Sequence, residues 1–241
     1  MTSTNTLPAK FSKSFDGYKN NAALRGLFTF ALSLINPVYA GMAIGVETAL
    51  FTWQENRSKK WEILAEEFDQ WESIGEELLK NQEFLHCFRR VIHATERTQN
   101  ETKIRYFARL LKATTDTEII SSVEEYEEFL DIIESLSFRE LTVLSVLDKY
   151  ESRFPMKNGE NEFQRCLHFW DIMVDELVEK FKIPREEVDS IFIRTTRSGC
   201  YKLFRGAYAA GDTEGKGTLM PIFHRLKQVI MVNNESISHK N

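Results

Sequence analysis

Residues 26–46 read GLFTFALSLINPVYAGMAIGV, 21 consecutive positions without a charge. Such a run has to be covered by lipid, by the chain's own core or by a second copy, because contiguous apolar surface of this size is rare on soluble monomers. As one helix it would be roughly 30 Å long, about the hydrocarbon thickness of a bilayer. Asn36-Pro37 interrupts it, since proline removes a backbone donor and disfavours helix at the residue before it. The sequence therefore predicts two short helices, roughly residues 22–35 and 38 onward, neither of which would span a bilayer alone. Gly41 and Gly45 form a small-xxx-small pair that lets helices approach closely. Leu27, Phe28, Phe30, Leu34, Pro37, Gly41 and Gly45 are the candidate membrane or oligomer contacts. Lys10, Lys13, Lys19 and Arg25 precede the run and Arg57, Lys59 and Lys60 follow it, which would hold both ends on the cytoplasmic side. A re-entrant or interfacial hairpin fits these flanks better than a single span. A hairpin buried in a soluble core or at a subunit interface fits them as well.

The rest of the chain is helical in composition and pattern. Only 5 Pro and 11 Gly occur in 241 residues, which disfavours long disordered or all-β architectures. The three cysteines, Cys87, Cys166 and Cys200, include no close pair, so a reducing compartment is expected and a disulfide framework is not. The net charge of -5 argues against attraction of the whole protein to nucleic acid or anionic lipid. No secretory signal precedes the apolar run, and residues 1–20 read as a mobile arm.

Trp61, Leu64, Phe68, Trp71 and Leu78 lie on one face of a long helix. Residues 61–80 carry seven acidic side chains and one Lys, whereas residues 86–112 carry seven basic against two acidic. Residues 118–135 are acidic again, with seven carboxylates. Helices of opposite charge packed side by side would neutralise one another. Phe84, Phe88, Val91 and Ile92, then Ile104, Phe107, Ala108 and Leu111, recur at helical spacing, with Asn100 placed to cap the second set. Ser137 and Glu140 form a capping box ahead of Leu141, Leu144 and Leu147.

Across residues 103–150 the run FARLL, then EEFLDIIESLS, then ELTVLSVLDKY resembles bacterial proteins of the abortive-infection alpha type. The resemblance covers under a quarter of the chain. It implies a bacterial or prophage origin and a link to phage exclusion, and it brings no catalytic residues with it.

The order of elements in residues 137–230 resembles a winged-helix module. A first helix from Ser137 is followed by a polar loop and an amphipathic helix over 163–181. In that helix Cys166, Phe169, Ile172, Met173, Leu177 and Phe181 face inward. Pro184 opens a further helix that Gly199 ends. Strand candidates flank a glycine-containing segment, and a last helix begins at Pro221. Residues 190–230 hold seven basic and two acidic side chains, an excess of five. Arg194, Arg197, Lys202, Arg205 and Lys216 are the candidate nucleic-acid contacts. Helix-turn-helix proteins read bases mainly with the N-terminal residues of the recognition helix. Here those are Arg185, Glu186, Glu187 and Asp189, which suit phosphate poorly, so contact with protein is at least as good a reading.

No phosphate loop, dinucleotide fingerprint, zinc-protease motif, CxxC or nucleophile elbow occurs. His86 and His93 are seven apart, about 10 Å along a helix, too far to share one zinc ion, and read as partly buried helix residues. No catalytic, metal or cofactor residue is nominated, and no cofactor or small-molecule substrate is expected. The expected fold is mainly α: a helical bundle with an N-terminal apolar helical hairpin and a C-terminal winged-helix-like module with a short β-hairpin. The expected parts are an arm (1–20), the apolar hairpin (21–60), a bundle (61–135), the winged-helix-like module (136–231) and a tail (232–241). The expected function is non-enzymatic, through a protein partner or self-association, in phage defence or a stress response. The expected location is the cytoplasm, peripheral to or inserted in the inner membrane from the cytoplasmic side. A winged-helix DNA-binding regulator and a soluble homo-oligomeric assembly protein are the alternatives.

Overall fold

The computed structural model describes residues 59–64, 66–68, 78–116, 118–204 and 215–231. The apolar hairpin with its seven candidate contacts, the expected arm and tail, Trp71 and Arg205 lie outside the described residues. The described chain is mainly helical and carries one two-stranded antiparallel hairpin near its C-terminus. It divides into two compact units, Met1–Leu130 and Asp131–Asn241.

In the first unit, α1 (Gln82–Arg97) and α2 (Glu101–Ala113) form a helical pair, each started by an asparagine. The Asn81 side chain accepts from the Phe84 amide at 3.1 Å, and that of Asn100 accepts from the Lys103 amide at 3.0 Å. Each satisfies an amide that the helix itself cannot. Phe88, Val91 and Ile92 of α1 and Ile104, Phe107 and Leu111 of α2 are buried. Trp61, Leu64 and Phe68, from helical residues 59–64 and 66–68, are buried as well, and the Phe68 ring lies 6.2 Å from that of Phe88. The expected neutralisation of basic by acidic helices is realised here. Glu67, 3% exposed, receives Arg105 and Arg109 at 3.0 Å each, and Arg105 also reaches Glu66. The helix α3 (Val123–Ser135) contributes the buried Tyr126, whose hydroxyl donates to the Cys87 carbonyl at 2.8 Å.

The second unit holds the C-terminal end of α3, then α4 (Phe138–Arg153), α5 (Glu162–Leu167), α6 (Trp170–Phe181) and α7 (Arg185–Thr195). The strands β1 (Tyr201–Leu203) and β2 (Gly217–Leu219) and the helix α8 (Pro221–Met231) complete it. The Ser137–Glu140 capping box is present, and Asn161 with Gln164 forms a second one at the start of α5. The amphipathic stretch expected over 163–181 is two helices instead of one. Phe169 breaks it: its amide bonds the Cys166 carbonyl in a tight turn, and its ring packs 5.9 Å from Tyr150 and 5.6 Å from Phe154. Cys166, Phe169, Met173 and Leu177 are buried, while Ile172 and Phe181, also expected inward, are half exposed because they lie at the edge of that stripe. Gly199 ends a short 3-10 turn in the left-handed conformation that glycine tolerates.

Rings connect these elements. Trp170 of α6 lies 5.0 Å from Phe192 of α7, which lies 5.1 Å from Tyr201 of β1. The strands pair Tyr201 with Leu219, Lys202 with Thr218 and Leu203 with Gly217. The buried Tyr201 hydroxyl donates to the Gly215 carbonyl at 2.6 Å and closes the base of the hairpin.

Candidate functional site

The sequence directs attention to α7 and the residues after it, because the four basic candidates that the structure describes, Arg194, Arg197, Lys202 and Lys216, lie there. α6 and α7 are joined by Lys182, Ile183 and Pro184. Lys182 takes the left-handed conformation at φ 56°, and the Ile183 amide returns to the Leu177 carbonyl. Pro184 stands at the helix cap, one position before the first helical residue where it was expected. Arg139 of α4 pairs with Glu187 in the first turn of α7, and Glu140 pairs with Arg197 just beyond its other end. Consecutive residues therefore reach both ends of α7, so α7 lies across the first turn of α4.

Glu140 is the centre of this crossing. It is 3% exposed, and both of its oxygens accept from Arg197, at 2.7 and 2.8 Å. The same guanidinium donates to the carbonyls of Arg194 and Ser135, at 2.6 and 2.8 Å, so both terminal nitrogens of Arg197 are occupied. Arg194 approaches the carboxylate at 3.5 Å. Burial by itself would push the Glu140 carboxyl up. Hydrogen bonds from Arg197 and Ser137, with the Arg197 charge, instead hold it down at about 2. A bidentate, charge-assisted pair of this kind fixes orientation as well as charge.

The other candidates go elsewhere. Lys202 is exposed on β1. Lys216 stands over the Trp170 ring, 5.9 Å from its centroid. Among the described residues the structure thus brings Arg194 and Arg197 together on a buried carboxylate and leaves Lys202 and Lys216 on the hairpin. The outer face of α7 carries the exposed Glu186, Ser190, Ile193 and Arg194, with Ile193 42% exposed, and Phe138 at the start of α4 is 50% exposed. The Asp189 side chain lies against Gly215, where an added Cβ would come within 2.5 Å of it.

Two polar positions were not singled out by sequence. Glu151 of α4 accepts from the Thr218 hydroxyl at 2.9 Å and the Leu219 amide at 3.2 Å, and pairs with Arg165 of α5 at 3.2 Å. It fastens β2 to two helices, and burial pushes its carboxyl up despite these partners. Tyr201 is the other. Neither had a local signal, because every partner lies 14 or more residues away.

His86 and His93 are exposed instead of partly buried, because both sit on the outer face of α1. His86 bonds Glu127 at 3.0 Å. Among the described residues no cluster of His, Cys, Asp and Glu could hold a metal ion. Cys87, Cys166 and Cys200 are all buried; burial pushes the first two thiols up to about 12 and raises the third. Among the described residues no helix is long and apolar enough to cross a membrane. No family model matches the chain, and no curated protein or solved structure is significantly similar to it.

Proposed function

We propose that the C-terminal unit is a winged-helix-like module that binds a protein partner, and that the chain acts through this contact without catalysing a reaction. The observation that carries the reading is the capture of Arg197, with Arg194 beside it, by the buried Glu140. A recognition helix that reads DNA needs cations and donors free to meet phosphate and base edges. Here the first turn of α7 is acidic, and the half-exposed Arg197 guanidinium is already committed to Glu140. The short turn between α6 and α7 and the hairpin after α7 supply the order of a winged helix. What α7 offers outward is Glu186, Ser190, the half-exposed Ile193 and the exposed Arg194, a face of mixed charge with an apolar residue that suits protein. The setting proposed for the contact is phage defence or a related bacterial stress response, on the resemblance of residues 103–150 alone. The uncharged run 26–46 is proposed as the membrane or self-association element.

Fluorescence anisotropy of a labelled duplex at low salt tests the first part. The full chain is expected to leave the duplex unbound. Binding whose affinity falls steeply with salt and is lost in Lys202→Glu overturns the proposal in favour of a DNA-binding regulator. A photocrosslinker at position 193 is expected to trap protein in cells and to trap none when position 186 carries Lys. Liposome flotation and sizing of the full chain and of a variant lacking residues 22–53 test the second part. A soluble monomer that ignores liposomes would overturn it.

A further inference from the structure

Away from α7, a half-open cleft of about 450 Å³ lies between α4 and α8. Its α4 wall is one helical stripe, Ser145, Asp148, Lys149, Ser152 and Arg153, at spacings that keep these side chains on one face. Phe223 and Lys227, one turn apart on α8, form the opposite wall. The volume lies within the range of small-molecule sites.

The polar groups of this cleft are of two kinds. Lys227 is held by Asp148 at 2.6 Å and Lys149 by Glu176 at 2.5 Å, so these cations are already neutralised. Arg153 is exposed and makes no ion pair among the described residues, so its charge is the uncompensated one at the cleft. The two serines are unusual in the same way. Ser135, Ser190 and Ser198 each turn the hydroxyl back onto a carbonyl three residues earlier. Ser145 and Ser152 make no such bond, although both stand in a helix where carbonyls are within reach. Both line the cleft, with hydroxyls uncommitted to a protein partner among the described residues. Ser152 is next to Arg153, and Ser145 is two turns away, about 10 Å along the axis.

We propose that this cleft binds a small soluble organic anion. Its phosphate monoester or carboxylate head sits on Arg153 and Ser152, its apolar body lies against Phe223, and a hydrogen-bond acceptor at its far end meets Ser145. A guanidinium beside a hydroxyl matches an anionic head group with several acceptor oxygens. The partial negative charge at the C-terminus of α4, about half a charge, opposes an anion there, and the full charge of Arg153 outweighs it. A polar group at each end, about 10 Å apart, suits a compact molecule held whole. It does not suit a lipid, whose acyl chains would need an apolar exit.

The fluorescent probe 1-naphthyl phosphate, titrated into the full chain, tests the proposal, with 1-naphthol and inorganic phosphate as controls. The monoester is expected to bind saturably, and each control at least about tenfold more weakly, since one charge-assisted contact or the apolar body is missing. Arg153→Glu is expected to weaken the monoester by at least about tenfold. It should move the thermal unfolding midpoint by no more than a few degrees, because Arg153 is exposed and unpaired and only a carboxylate at a helix C-terminus is introduced. Absence of saturable binding at millimolar probe, equal affinity for 1-naphthol, or unchanged affinity in Arg153→Glu overturns the proposal.

Discussion

Replacing Glu140 by Gln separates the charge of the buried carboxylate from its shape. Gln retains the volume and can still complete the capping box at this position, so the loss reports on the pair with Arg197. The folded carboxyl lies at about 2 against an ordinary value of 4.5. That difference, at about 1.4 kcal/mol per unit, sets a ceiling of about 3 kcal/mol. Arg197 is 45% exposed, so solvent screens part of this and about 2 kcal/mol is the working figure. A depressed carboxyl stabilises the fold fully above its unfolded value of 4.5 and loses that contribution as pH falls towards 2. The wild-type advantage over Glu140→Gln is therefore expected to be full at neutral pH and to shrink by roughly half at about pH 3. Urea unfolding followed by circular dichroism at several pH values measures it, with the transition of the C-terminal unit fitted separately. A gap under about 0.5 kcal/mol at pH 7, the usual value of an exposed pair, or a gap constant down to pH 3, would refute the reasoning.

Glu151, on the same helix, is expected to titrate in the opposite sense. Its folded carboxyl is raised by burial, so its contribution is full at low pH and lost as pH rises through the folded value, and the cost of Glu151→Gln grows on acidification. Tyr201→Phe leaves the Gly215 carbonyl without its buried donor and is expected to cost about 1–3 kcal/mol in urea unfolding. Gly217→Ala is expected to do more harm, since its Cβ would lie 2.2 Å from the Lys202 carbonyl and 2.5 Å from the Tyr201 ring; loss of cooperative unfolding of the C-terminal unit would show it. All three thiols are expected to ignore a disulfide reagent in the native protein and to react together in denaturant, because each is buried and protonated. Fast labelling of any one in the native state would contradict this.

Local physics was legible in the sequence. Asn100 and Ser137 cap the helices they were expected to cap, because a cap depends on residues three positions away. The buried stripes of α1 and α2 follow the 3.6-residue period, which needs only a nearby apolar core. The break at Phe169 was hidden because Cys166, Phe169, Met173 and Leu177 keep inward spacing through it, so periodicity alone reads one helix where there are two. Sequence alone suggests partial burial for His86 and His93, yet seven residues apart they share whichever face α1 turns outward, and that face is exposed.

The charge count after residue 190 shows where linear reading stops. A window over 190–230 contains seven basic and two acidic residues and suggests a cationic face. The acids that neutralise two of those bases lie outside the window. Glu140 takes Arg197, and Asp148 takes Lys227, across 57 and 79 residues. Subtracting those two charges reduces the excess of five to three. Glu140 also had a sufficient local explanation as the partner of Ser137 in a capping box, which concealed its second role. A carboxylate at the third position of a helix is fixed in direction by its cap, and here that direction is towards the end of α7. The cap therefore aims the side chain, and the tertiary fold brings Arg197 to it. A charge near a candidate recognition helix counts towards DNA only after every carboxylate that the fold brings to it has been counted.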